Sequence, residues 1–165
     1  MNHRTLMLAI LAVGAAAAPL AAKDSLGIFS DWGAFRDPSI PRCYAIAIAE
    51  PEKGARDYQP YAAVGTWPKR AIRNQLHIRL SHKVAAKSGI RLVVGARRFE
   101  LTGGGGDAWA KDKTMDAAIT SAMRSATSMS VSSRDTAGHL FTDEYKLDGA
   151  ATAMDAATVG CARLG

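Results

Sequence analysis

His77, His82 and His139 are the three histidines beyond the N-terminal apolar segment, and Cys43 and Cys161 are the only cysteines. These are the side chains most able to hold a metal. No histidine has a metal-like partner at i+2 or i+4. The spacing of five puts His77 and His82 on opposite faces of an extended strand. They do not converge on a metal, and the cysteines form no C-x-x-C, which excludes a zinc ribbon or a thioredoxin-type redox site. Gly103-Gly104-Gly105-Gly106-Asp107-Ala108 formally satisfies G-x-G-x-x-A. A dinucleotide fingerprint needs a strand, a tight turn and an immediate helix. Here residues 109–113 intervene before any helix, so the run reads as a flexible connection. No serine sits in a G-x-S-x-G elbow. Asp143 and Glu144 are adjacent and point to opposite faces of a strand, so they are not paired for acid–base work. No cofactor, metal or catalytic residue is expected, and the chain reads as a non-enzyme.

The unusual chemistry is charge. Lys and Arg number 21 against 15 Asp and Glu, a net charge of +6. No Asp or Glu occurs from position 58 to 99, while that stretch holds Lys69, Arg70, Arg73, Arg79, Lys83, Lys87, Arg91, Arg97 and Arg98. Alternation over residues 72–84 places Arg73, Arg79 and Lys83 on one strand face. A single-sign patch raises the local concentration of polyanions. Arg73, Arg79, Lys83, Arg91, Arg97 and Arg98 are therefore the candidate ligand contacts, with an anionic partner. The alternative left open is a solvated face beside which acids from the C-terminal half lie. Aromatic residues are 7% of the chain, which argues against a broad stacking platform for single-stranded nucleic acid. No nucleic-acid partner is expected.

The elements that must position these residues are mostly strands. Residues 28–35 read as one strand carrying Trp32 and Phe35, and Pro38 and Pro41 end it. Residues 43–49 and 61–66 are apolar strands. The clearest signal is 72–84: Ile72, Asn74, Leu76, Ile78 and Leu80 alternate with polar residues, the period of a half-buried strand. Residues 90–94 and 98–101 form a hairpin about Gly95-Ala96. Over 114–127, Met115, Ile119 and Met123 recur every four residues beside alanines, the apolar stripe of a helix. Asp116 and Arg124 suit its dipole. Residues 129–133 and 139–147 are strands about a turn at 135–138, and Asp148 is placed to cap an Ala-rich helix ending near Gly160. About eight strands and two helices in the C-terminal half, with no β-α-β alternation, predict a mostly β fold: one antiparallel sandwich or partly open barrel.

The N-terminus has the build of a secretory signal. Arg4 supplies the positive region, residues 6–18 form an apolar or small run, and small residues lead to Lys23. Residues 1–22 are predicted to be a cleaved signal peptide, with cleavage near Ala22, and 23–165 a single domain. Removing Arg4 leaves a net charge of +5. No later segment reaches the 18 apolar residues of a membrane helix, so the mature chain is expected in the periplasm or secreted. Two thiols in an oxidising compartment allow one intramolecular pairing, Cys43–Cys161, which is favoured over two separate buried thiols.

The order of these pieces resembles a known family. Asp31-Trp32-x-Ala34-Phe35 precedes Cys43-Tyr44-Ala45. The alternating basic strand, Phe99-Glu100-Leu101 and Asp107-Ala108-Trp109-Ala110 follow. Next come the Ala/Met helix through Met123, Ser130-Val131-Ser132-Ser133-Arg134, Thr142-Asp143-Glu144-Tyr145-x-Leu147-x-Gly149, and the terminal Cys161. This looks like the invasion-associated locus B family of exported proteins from Gram-negative bacteria, over nearly the whole mature chain. The resemblance implies a small, exported, β-rich protein and carries over no catalytic residue. The family's usual Gly-Thr and Gly-Phe pairs are Gly138-His139 and Gly149-Ala150 here, which read as packing variation. The functional expectation is a non-enzymatic cell-envelope protein contacting anionic envelope components, or another envelope protein, through the basic residues. An envelope hydrolase with an unmarked active site, or a structural or adhesive protein contributing to host association, is the alternative.

Overall fold

A computed structural model describes residues 23–162. The expected signal peptide and its cleavage point near Ala22 lie outside the described residues. Ten strands and two helices follow in order: β1 Asp24–Phe29, β2 Trp32–Asp37, β3 Arg42–Ile48, β4 Tyr61–Trp67, β5 Ile72–Arg79, β6 Ile90–Val94, β7 Arg97–Gly104, β8 Asp107–Trp109, α1 Lys113–Met123, β9 Ser128–Arg134, β10 Leu140–Lys146 and α2 Ala150–Cys161. Every strand pairing is antiparallel, in the order β1-β2-β3-β4-β5-β8-β7-β6-β9-β10. The sheet does not close. It curls until its ends approach: Trp32 Nε1 donates to the Lys146 carbonyl at 2.9 Å, and Glu50 N–H donates to the Glu144 carbonyl at 2.8 Å. The mostly β expectation, with both helices in the C-terminal half, holds.

Strand alternation builds the core. Cys43, Ala45 and Ala47 of β3, Ala62 and Val64 of β4, and Leu76 and Ile78 of β5 point inward and are buried. Leu92, Met129, Val131, Phe141 and Tyr145 enter the same cluster from the other half of the sheet. Both helices fill it, α1 through Ile119 and Met123 and α2 through Ala153, Met154 and Ala157. Asp112 caps α1, its Oδ1 accepting from Met115 N–H at 2.8 Å. A disulfide joins Cys43 to Cys161 with Cα atoms 5.6 Å apart, fastening α2 to the inner face of β3. No helix among the described residues is long and apolar enough to cross a membrane.

Several local expectations differ from the structure. The strand expected over 28–35 is a hairpin, because Ser30 adopts the left-handed conformation (φ 51°) and reverses the chain. The strand expected over 72–84 ends at Arg79, so Lys83 lies beyond it in irregular backbone. The four glycines read as a flexible connection are a tight hairpin: Gly103 and Gly104 belong to β7 and pair with Ala108 and Asp107 of β8. Asp148 does not cap α2. Gly149 is its first flanking residue, at φ 84°, and no side chain caps the helix. A Cβ there would sit 1.8 Å from the Phe29 carbonyl oxygen, which only glycine avoids.

Candidate binding face

The residues that alternate with the core on β2, β3, β4, β5 and β8 form the opposite face of the sheet. The register aligns them in rows: Phe35, Tyr44, Gly65 and Gln75; Ile46, Ala63, His77 and Trp109; Ile48, Tyr61, Arg79 and Asp107. Small residues alternate with rings, and the rings lie across them. A Cβ at Gly65 would come within 2.6 Å of the Trp67 ring, one at Gly33 within 2.7 Å of Phe35, and one at Gly106 within 2.4 Å of Tyr58. The chain has 11 Phe, Tyr and Trp residues. Six of them, Phe35, Tyr44, Tyr58, Tyr61, Trp67 and Trp109, are gathered here. Exposed Ile28 and Ile48, 67% and 65% accessible, lie on the same face, opposite Gly33 and Tyr61 in the register.

His77 stands at the centre. Its ring stacks on Trp109 at 5.2 Å between centroids and 15° between planes, and meets Tyr61 edge-on at 5.5 Å. Its Nε2 lies 2.9 Å from Asp107 Oδ1. The second oxygen of Asp107 accepts from Arg79 at 2.5 Å, and the Arg79 guanidinium lies 3.8 Å from the Tyr58 ring centroid. Stacking and hydrogen bonding together leave His77 little freedom to rotate, so the face is preorganised. Burial, and then the Asp107 carboxylate, push the Tyr61 hydroxyl up, which keeps it a neutral donor. Arg42 lies over Tyr44 at 4.8 Å and reaches Asp37 at 3.6 Å. The Asp37 carboxyl is held below its usual range, chiefly by the Ser39 hydroxyl, against burial. A hollow of about 420 Å³ opens on this face, lined by Lys23, Arg42, Tyr44, Tyr61, Trp67, His77 and Trp109 among others, with no carboxylate in its lining.

The expected basic contacts do not form one patch. Asn74 adopts a left-handed backbone (φ 52°), its N–H donating to Thr66 Oγ1 at 3.2 Å. This kink interrupts the alternation, and Arg73 lines a hollow with residues of α1 instead of joining Arg79. Arg79 is paired with Asp107. Lys83 stands in irregular backbone, its own N–H donating to the Asp57 carboxylate at 2.9 Å. Arg91 faces Glu100 at 3.4 Å and shares a shallow groove with Arg98. Arg97 donates to the Ala118 carbonyl at 3.0 Å and lies over Phe99. Acids from elsewhere in the chain thus lie beside three of the six, Arg79, Lys83 and Arg91.

The other titratable groups are dispersed. His82 lies 3.7 Å from Asp57 and His139 3.4 Å from Asp135. Among the described residues no group of three His, Cys, Asp or Glu is placed to hold a metal. Asp143 and Glu144 do part to opposite faces, and Asp143 is fully buried, accepting from Ser81 N–H at 2.9 Å. Burial raises its carboxyl against the bonds from Ser81.

The aromatic face was missed because overall aromatic content is low. Its signal was positional: Tyr61-x-Ala63-x-Gly65-x-Trp67 puts rings and small residues on the side of the strand away from Ala62 and Val64. No protein-family model, curated protein or solved structure matches the chain.

Proposed function

We propose that the chain is an exported, non-enzymatic binding protein of the cell envelope, of the invasion-associated locus B kind, which holds an anionic glycan on its aromatic face. The observation that carries this is the Trp109–His77–Tyr61 cluster, fixed by Asp107, beside a hollow lined by Arg42 and Lys23 and by no carboxylate. A pyranose ring has an apolar C–H face and a polar rim. Aromatic side chains match the first, and a guanidinium matches a carboxylate on the second through charge-assisted bonds. The anionic partner expected from the sequence is retained, with its contacts moved from the basic residues of 73–98 to Arg42 and Lys23.

Calorimetric titration with an oligosaccharide of uronic acids and with its neutral counterpart tests the reading. The acidic chain should bind more tightly, and Trp109→Ala should weaken it about three- to tenfold. Arg42→Gln should remove the preference for the acidic chain. Equal affinity for the two sugars, or full binding by Trp109→Ala, would overturn it. The His77–Asp107 contact at 2.9 Å favours one second reading, a hydrolase acting on the same glycan. Shortening of the oligosaccharide during incubation, abolished by His77→Ala, would establish that instead.

A further inference from the structure

Two hollows meet on the helix side of the molecule, away from the aromatic face, and share Arg73 and Asn74 as a common wall. One, of about 490 Å³, lies between β5 and α1 and is lined by Arg73, Asn74, Lys113, Ala117, Thr120, Ser121 and Arg124. Lys113, Ala117, Ser121 and Arg124 recur along one flank of α1 at helical spacing, and the small Ala117 leaves the space open between the cations. No carboxylate lines this hollow. Arg124 is held from outside by both oxygens of Asp155 on α2, at 2.6 and 3.2 Å, through its two terminal nitrogens. That grip orients the guanidinium and leaves its Nε unengaged among the described residues. Arg73 and Lys113 make no ion pair among the described residues. The nearest acid in sequence, Asp112, is committed to capping α1. Thr120 spends its hydroxyl on helix carbonyls, so Ser121 and the Asn74 amide are the neutral donors.

The second hollow, of about 480 Å³, is bordered by Pro68, Ala71, Ala162, Cys161 and the methyl-bearing Thr66 and Thr158. The Thr158 hydroxyl is turned back to the Met154 carbonyl at 2.8 Å. Apart from the shared Arg73 and Asn74, this lining offers mostly apolar surface. The left-handed Asn74 backbone joins the two: it is the kink that carries Arg73 out of the strand alternation to stand between a cationic hollow and an apolar one.

We propose that these adjoining hollows form a binding site for an acidic amphiphile, a phosphate headgroup held by Arg73, Lys113 and Arg124 with a short apolar chain laid against Pro68, Ala71 and Ala162. The site is separate from the aromatic face, and its failure would leave the glycan reading untouched. The test is calorimetric titration of the purified protein with octyl phosphate, inorganic phosphate and octyl glucoside, each below its aggregation concentration. Octyl phosphate should bind at least tenfold more tightly than either of the others. The exposed pair Arg73→Gln and Lys113→Gln, with an unchanged circular dichroism spectrum, should weaken octyl phosphate at least tenfold, as expected for losing two charge-assisted bonds. Thr158→Trp, which fills the apolar hollow, should reduce octyl phosphate to the affinity of inorganic phosphate. Inorganic phosphate binding as tightly as octyl phosphate would overturn the amphiphile, leaving a free-phosphate site. Octyl glucoside binding equally, or octyl phosphate binding unchanged in the double variant, would overturn the headgroup contacts.

Discussion

Replacing both cysteines with alanine removes the covalent tie between β3 and the end of α2. The bond closes a loop of 118 residues, and in the loop-entropy description this constrains the unfolded chain by about 5 kcal/mol at 25 °C. Both cysteines are buried, Cys43 completely, so losing two packed sulfurs costs on the order of a further 1 kcal/mol. Domains of this size are stable by roughly 5–15 kcal/mol, so the variant should fold marginally. Unfolding entropy near 2.1 cal/mol/K per residue gives roughly 0.3 kcal/mol per degree here, and Tm should fall by about 20 °C. The assay is urea and thermal unfolding followed by circular dichroism, on native protein, reduced protein and Cys43→Ala/Cys161→Ala. Alkylation of the native protein without reduction should leave its mass unchanged. Reduced wild type should unfold near the double variant. A loss below about 1 kcal/mol, or two alkyl groups taken up by native protein, would refute the reasoning.

Two further tests address the interior. Asp143 is buried and its carboxyl is raised by that burial. A raised folded-state value gives stability that is fully present below the ordinary carboxylate value of about 3.9 and is lost as pH rises through the raised value. Asp143→Asn keeps an acceptor for Ser81 N–H but cannot titrate, so its stability relative to wild type should improve as pH rises from 4 to 7. A difference independent of pH in denaturant titrations would contradict this. Gly149→Ala meets both a left-handed backbone and the Phe29 carbonyl at 1.8 Å, whereas Gly138→Ala meets only the backbone cost, at φ 89° with open space around it. Thermal melts should show about 1 kcal/mol lost at Gly138 and more than about 2 kcal/mol at Gly149. Equal losses would mean that the close approach to β1 is not maintained in solution.

The aromatic face and the cationic hollow divide two chemistries between the two sides of one sheet. Disulfide and helix packing commit the inner side of β3 and β4 to the core, so the outer side of those strands is left to carry Tyr44, Tyr61 and Trp67. The Asn74 kink then sends Arg73 to the helix side. One short segment, 73–79, therefore contributes to both candidate sites.

Local order was written into the chain. Alternating small and branched apolar residues over 43–49 and 61–66 marked strands. The four-residue recurrence of Met115, Ile119 and Met123 marked α1, and two lone cysteines marked the tie between chain ends. Short-range periodicity is enough for these because each element buries one face whatever it packs against. The hairpin at Ser30, the end of β5 at Arg79 and the kink at Asn74 carried no such signal. Ser30 and Asn74 take left-handed backbone without being glycines, Asn74 with its N–H tied to Thr66 of the neighbouring strand. Tertiary structure alone decided which residues the candidate sites bring together. Arg79 looked free until β8 brought Asp107 beside it, Arg91 until the β6–β7 register faced it with Glu100, and Asp116 looked like a helix-dipole charge until it accepted from Leu76 N–H at 2.8 Å. Which charges cancel, and which scattered rings converge, depends on strand order. Strand order is set by long-range pairing, and nearest-neighbour spacing carries no record of it.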